Sequence, residues 1–501
     1  MARKKKKLLL VNSVSSLAVQ AMAILSSFIV PRCVLGSFGS VINGTVESIG
    51  GFLGFLTLLE AGVGSVSRAE LYRPVAEHDI YQTSAVVNET KLFFRKIARI
   101  YLASVIVFSL IYPSFAGNEE SFAFNLTLVL AIAITNIVQY YFGAGYVQVL
   151  YADQKIYLLN YVQAGAYLLN CIVVYACARL GTGIHVMKLA STVPFIVKPI
   201  FTNIYVRRTY KIDKTVQSGT PVLRQKWNNM LQTVAYYVHR KTDVVVLAVL
   251  SSGKAVSVYS VHALISNGLS SVLSSLCYGF TAKLGAQYGS SDEASVKETF
   301  RIYDFFVYNA TLLSFMTAEL VIVDFIRLYT RGVNDANYNQ PLFAAILLLA
   351  EAVYCLRMPY NNMVSVAGHF RQTQNAALIE AVLNIGLSLV LVNFWGITGV
   401  AVGTLVAMSY RTVYLARYLT KNILHLNKNE LVKKVLACGM VIALSKIAGD
   451  AALRGIVVTG FAGWVLKAAA AFLIVMACCA AADLIFYRDT LKSCRRFIRR
   501  Q

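Results

Sequence analysis

The segment NMLQTVAYYVHRKTDVVVLAVLS, Asn229–Ser251, is apolar at both ends and carries five consecutive polar or charged residues, His239-Arg240-Lys241-Thr242-Asp243, at its centre. About 20 apolar residues in helical form cross the hydrocarbon core of a bilayer, so this segment predicts a membrane-spanning helix with the run near the midplane. Each ionised residue at that depth costs roughly 2.5–3.5 kcal/mol on insertion scales. Such residues persist where they pair or face a water-filled cavity, which makes the run a candidate site. A span beginning at Val244 instead turns the same residues into a cytoplasmic gate.

The rest of the chain reads the same way. Of 501 residues, 57% are hydrophobic and 14% charged, against about 25% charged in soluble domains. Apolar stretches of helical length predict an all-α polytopic membrane protein with fourteen spans, near residues 8–33, 40–66, 93–115, 122–150, 156–179, 183–206, 229–251, 255–282, 302–328, 340–363, 374–394, 397–419, 431–449 and 457–487. No connecting loop is long enough to hold a catalytic domain, so the expected role is not that of an enzyme. The formal charge of +23 does not imply nucleic acid, because most Lys and Arg fall in alternate loops. That asymmetry puts both termini in the cytoplasm. The basic ends, Arg3 to Lys7 and Arg495 to Arg500, meet anionic membrane lipids at about 1 kcal/mol per residue. KKKKLLL opens an uncleaved first helix rather than a signal peptide, since the apolar segment behind it is too long and contains Asn12, Ser16 and Gln20. The nine cysteines form no CxxC or Cys/His cluster, so neither a disulfide framework nor a metal site is expected, and no cofactor is called for.

The chain matches itself at an offset of about 214 residues. Asn170 falls on Asn384, Gly181 on Gly396, Leu35 on Leu250, and SRAELY from Ser67 on TAKLGAQY from Thr281. The repeat predicts two six-helix lobes, residues 1–214 and 215–428, related by a pseudo-twofold axis along the membrane normal, and residues 429–501 as two additional helices with a basic tail. Transport sites in such proteins lie between the halves near the midplane.

Helical periodicity puts Asn12, Ser16, Gln20 and Ser27 of the first span within about 80° of arc, and Gln232, Tyr236, His239 and Asp243 of the seventh within about 60°. The second and eighth spans carry Asn43, Thr45 and Glu47, and His262, Ser266 and Ser270. Nothing in hydrocarbon satisfies such stripes. They predict a wet cleft, the alternative being helix–helix hydrogen bonds in a packed bundle. Basic residues at depth (Lys198, Arg240, Lys241, Arg357, Arg411) outnumber the acids there and favour an anionic ligand, with arginine suited to phosphate. Lys188 and Lys467 read as side chains reaching toward an interface. The expected binding set is therefore Arg240, Lys241, His239, Asp243, Arg411, Arg357, Lys198, Asn12, Ser16, Gln20 and His262. Asp243 is the candidate for neutralising Arg240 or for binding a coupling cation.

SFIVPRCVLGSFGSVINGTVESIGGFLGFLTLLEAGVGSVSRAELYRPVAEHD (Ser27–Asp79) and TDVVVLAVLSSGKAVSVYSV (Thr242–Val261) resemble the first and middle helices of bacterial polysaccharide flippases, which belong with multidrug exporters and lipid II flippases in one superfamily. The resemblance implies a two-lobed fold in the bacterial cytoplasmic membrane. It implies a substrate oligosaccharide on an undecaprenyl pyrophosphate carrier, turned from inner to outer leaflet with H+ or Na+ coupling or the membrane potential as drive. It also implies work alongside a polysaccharide polymerase and glycosyltransferases. A multidrug exporter of the same fold calls for an acidic cleft, and a polytopic glycosyltransferase or polymerase for a large external or carboxylate-rich loop; the sequence shows neither.

Overall fold

The computed structural model describes residues 2–60, 63–115, 120–216, 241–289, 293–426 and 429–491. Among them the regular structure is helical throughout, with no strand. The helices are α1 (Ala2–Leu56), α2 (Val63–Ala76), α3 (Ile80–Ile111), α4 (Phe122–Val138), α5 (Ala144–Ala152), α6 (Ile156–Arg179), α7 (Ile184–Tyr210), α8 (residues 241–250), α9 (Gly253–Gly289), α10 (Glu293–Tyr329), α11 (Pro341–Val366), α12 (Phe370–Asn422), α13 (Asn429–Leu453) and α14 (Phe461–Phe486). Among the described residues, ten helical segments are long and apolar enough to cross a membrane. Their outer faces keep large apolar side chains exposed, such as Leu17, Val382 and Phe394, as lipid contact requires. The protein is a polytopic helical membrane protein.

Two of the ten segments, α1 and α12, each hold two of the spans read from the sequence. The break falls at a glycine in a conformation that side chains rarely adopt: Gly39 (φ 78°) in α1 and Gly396 (φ 55°) in α12. Pro31, eight residues before Gly39, lies inside continuous helix. Gly181, which the repeat offset aligns with Gly396, also has positive φ (67°) in the turn between α6 and α7. α13 is not among the ten. Its apolar run is interrupted by Lys434 and Lys446, and both are ion-paired to α10, a compensation that hydropathy does not register.

The chain forms two compact units, residues 1–257 and 258–501. The first is centred on an aromatic cluster: Tyr101, Tyr112 and Tyr140 are buried beside Leu128 and Val129, and Asn136 donates to the Tyr101 hydroxyl at 3.0 Å. Asp79 caps α3 by accepting from the Gln82 N–H, and Ser121 caps α4 through Phe124. α8 and the first turn of α9 belong to this unit because glycines on the second arm of α1 admit them. A Cβ on Gly44 would lie 1.7 Å from the carbonyl oxygen of Gly253, and one on Gly51 3.0 Å from Val244. Small residues of this kind let membrane helices approach at the backbone, where packing and hydrogen bonds hold them together. Gly44→Ala must push two backbones apart, and overpacking of this kind costs about 1–3 kcal/mol. The expected result is a lower unfolding temperature in detergent; a wild-type value contradicts the contact.

In the second unit α10 is central, flanked by α11, α13 and α14. Asp304 and Glu319 lie within about 60° of one another around α10, with Asp324 roughly 140° beyond Glu319. The first two face Lys434 and Lys446 of α13, and the third faces Lys467 of α14 at 2.7 Å. Lys467 is therefore an ion-pair partner inside the bundle, not a residue reaching for the interface. The Trp464 indole adds a hydrogen bond to the Val321 carbonyl at 3.1 Å.

Candidate functional site

In the first unit the expected polar stripe of α1 divides by depth. Asn12 donates to the Gln154 carbonyl at 2.7 Å and accepts from the Tyr157 N–H at 3.0 Å, fastening α1 to the start of α6. Asn160 donates to both Ser15 and Ser16, and Gln20 is half-buried further along. On the second arm, Asn43 donates to the Ser257 hydroxyl at 2.8 Å, while Ser48 and Thr45 bond back to carbonyls of their own helix. At these positions the stripe supplies helix–helix contacts.

Of the central run, His239 and Arg240 lie outside the described residues, as do Gln232 and Tyr236. Lys241, Thr242 and Asp243 open α8. The Lys241 stem runs along Gly54, whose absent Cβ would meet its Cε at 3.3 Å. Thr242 and Asp243 are buried at 4% and 2% exposure, and the Thr242 hydroxyl has no hydrogen-bond partner. Lys198, on α7, is half-buried and has no carboxylate within ion-pair distance among the described residues. The structure thus brings α1, α8 and the start of α9 together, with Lys241 and Asp243 at their contact, and leaves Lys198 on a separate helix.

In the second unit, His262 is buried, hydrogen-bonded through Nδ1 to the Val258 carbonyl at 2.8 Å and set edge-on to Phe343. Arg357 and Arg411 each reach one oxygen of Glu380 at 2.5 Å, and all three are at least nine-tenths buried. Arg357 also lies over the Tyr354 ring. Both arginines therefore hold a carboxylate of their own chain. The bend at Gly396 explains the pairing: Glu380 and Arg411 lie almost equidistant from it, so the two arms of α12 fold back and place them opposite one another. Asn384 and Thr404 meet across the same hairpin at 2.8 Å. Opposite charges equidistant from a glycine break were a signal available in the sequence.

The second unit also contains an apolar groove of about 620 Å³ between α10, α11, the second arm of α12 and α13, with walls including Phe315, Leu348, Ala352, Val413, Val435 and Ile442. Lys434 and Lys446 mark its two ends, about 18 Å apart at 1.5 Å per residue. Lys434 donates to Asp304 at 2.7 Å and to the Tyr360 hydroxyl at 3.0 Å; Lys446 holds Glu319 at 2.5 Å. Among the described residues the one acid in the groove lining, Glu319, is ion-paired to Lys446 through Oε1, and its Oε2 is buried without a hydrogen-bond partner. Sequence reading missed this feature because Asp304 and Lys434 lie in separate apolar spans; paired opposite charges in two such spans were its only trace. Among the described residues no three His, Cys, Asp or Glu cluster as metal ligands do.

The architecture has known counterparts. A lipid II flippase, MurJ, in an inward closed conformation superposes with a TM-score of 0.69 at 14% identity, over 96% of this chain and 100% of that one. An inward-facing multidrug resistance MATE transporter of the MOP superfamily gives 0.63 at 16% identity, over 83% and 95%. A MOP superfamily transporter from Pyrococcus furiosus, described as having a binding pocket of reverse polarity, gives 0.59 at 14%, over 82% and 94%. The chain has the fold of this superfamily. No protein-family model matches the sequence, and no curated protein does. The flippase match covers 96% of this chain, against 83% and 82% for the other two.

Proposed function

We propose that this chain is a flippase that carries undecaprenyl-pyrophosphate-linked oligosaccharide from the inner to the outer leaflet of a bacterial cytoplasmic membrane by alternating access, through fourteen spans in a six-plus-six-plus-two arrangement. The observation that carries this reading is the apolar groove of the second unit. Its two lysines are about 18 Å apart, more than half of a hydrocarbon core of about 30 Å, and each is already neutralised by an acid. Such a groove suits a long hydrocarbon tail better than a cationic drug, because its one lining acid, Glu319, is already ion-paired to Lys446. Lys241, with Arg240 and His239 beside it in sequence, supplies the cations for the pyrophosphate, and Lys198 adds a further one. Asp243 balances them or takes a coupling ion. Arg357 and Arg411 are assigned to the fold, through Glu380.

Moving about two negative charges outward, in the direction that an inside-negative potential of about 100 mV drives them, releases up to roughly 4.6 kcal/mol, so the potential alone gives direction. Depletion of the protein is expected to trap lipid-linked oligosaccharide on the inner leaflet, measured by protection from an external glycosidase. Arg240→Ala is expected to do the same at wild-type protein levels. Unaltered exposure of the glycan on depletion, together with a changed resistance to cationic drugs, would overturn the reading in favour of a drug exporter.

A further inference from the structure

At one end of the first unit, three cations from three helices converge on α5 with no acid among them. Lys91 of α3 and Arg207 of α7 both donate to the Tyr146 hydroxyl at 2.9 Å, which puts the two charges within about 6 Å of each other. Arg68 of α2 stacks over the Tyr151 ring at 4.0 Å, and its Nε has no hydrogen-bond partner. None of the three has a carboxylate within ion-pair distance among the described residues. Lys155, one turn beyond Tyr151, by contrast holds Asp153 at 2.8 Å.

The arrangement is built rather than incidental. Tyr146 is 1% exposed, so its oxygen is fixed. A phenol has two lone pairs and one proton; with two cations donating to the oxygen, what remains is an O–H donor. Lys91 reaches it only because position 145 is glycine, where a Cβ would lie 2.4 Å from the Lys91 Cγ. The π-helical turn Gln139–Gly143 directly precedes α5, and such turns recur at functional sites. Lys91 and Arg68 are half-buried and Arg207 is exposed, so the cluster is open to a ligand. By the span ends read from the sequence, all of these residues sit where the apolar segments meet the cytoplasm, at headgroup level.

Donors only, a surplus of positive charge and an arginine beside a lysine make a complement to phosphate oxygens. We infer that Lys91 and Arg207, around Tyr146, form a binding site for a phosphate group at the inner membrane boundary, with Arg68 on Tyr151 adding positive charge further along α5. The inference stands independently of the proposed substrate.

The test uses the purified full chain in a neutral detergent, with binding constants read by native mass spectrometry. The probes are short-chain phosphatidylglycerol, short-chain phosphatidylcholine and inorganic pyrophosphate. Phosphatidylglycerol is expected to bind one site more tightly than phosphatidylcholine, with affinity falling as salt rises. Lys91→Gln and Arg207→Gln are each expected to weaken it on the order of tenfold, and Lys91→Arg to restore most of the loss. A double control, Arg371→Gln with Lys421→Gln on exposed positions of α12, is expected to change nothing. Pyrophosphate displacing the lipid from the same site identifies a soluble phosphate as the ligand and keeps the site; no displacement identifies the lipid headgroup. Gly145→Ala keeps every charge but moves Lys91, and a several-fold loss is expected. Binding that survives Lys91→Gln and Arg207→Gln, or that falls equally in the control, overturns the inference. Should a variant fail to fold, Lys91→Gln alone decides.

Discussion

Glu380→Gln is expected to lower the unfolding free energy by about 3–5 kcal/mol, because it leaves two buried guanidinium groups without their shared carboxylate. Arg357 and Arg411 are 5% and 8% exposed and reach Glu380 with one Nη1 contact each at 2.5 Å. The triad carries a net positive charge even when intact, and the Arg411 Nε is already a buried donor without a partner. Glutamine preserves shape and one acceptor oxygen while removing the charge, so the loss reports electrostatics rather than packing. The measurement is the unfolding midpoint of detergent-purified protein. A variant as stable as the wild type would show that water reaches the arginines and that they line a cavity after all. A companion triple replacement, Arg357→Met, Glu380→Leu and Arg411→Met, is expected to recover most of the loss, since apolar substitutes for a buried ionic triad are neutral or stabilising by about 1–4 kcal/mol. Loss of transport in this stable triple variant would return the arginines to the substrate path.

That pair of outcomes bears on what a sequence of this kind reveals. Helical content and many long apolar helices were legible because an apolar run of bilayer length has few other uses. That Arg357, Glu380 and Arg411 lie within such helices was legible for the same reason. Their mutual contact was not legible from hydropathy, in which the turn at Gly396, with its φ of 55°, leaves no trace; only the near-equal spacing of Glu380 and Arg411 on either side of that glycine pointed to it. The reverse happened with Asn12 and Asn43. Their periodicity correctly marked one face of a helix, but a polar stripe looks the same whether it meets water or another helix, and here it meets α6 and α9. Lys434 and Lys446 show the third case. Hydropathy treats each as a penalty to α13, whereas Asp304 and Glu319 on α10 turn both into docking contacts.

Closing the groove is expected to reduce glycan export by an order of magnitude or more without unfolding the protein. Leu349 of α11 and Val435 of α13 belong to its lining and are 42% and 63% exposed, so indoles there occupy open space instead of displacing core atoms. Leu349→Trp with Val435→Trp narrows the groove from both walls. Each methylene denied contact forfeits about 0.8 kcal/mol, and excluding two or three lowers affinity for a tail on the order of 10- to 50-fold. Export below saturation falls in proportion. Tryptophan is itself welcome in membranes, so the control is equal bulk on lipid-facing positions away from the groove: Val390→Trp with Ile447→Trp, at 56% and 70% exposure, is expected to export normally. Lipid-linked oligosaccharide turned over by purified protein in vesicles separates the two pairs directly. Normal turnover by the groove pair would place the tail in bulk lipid and leave recognition to the headgroup cations alone; equal loss in both pairs would implicate bulk at the lipid surface rather than the groove.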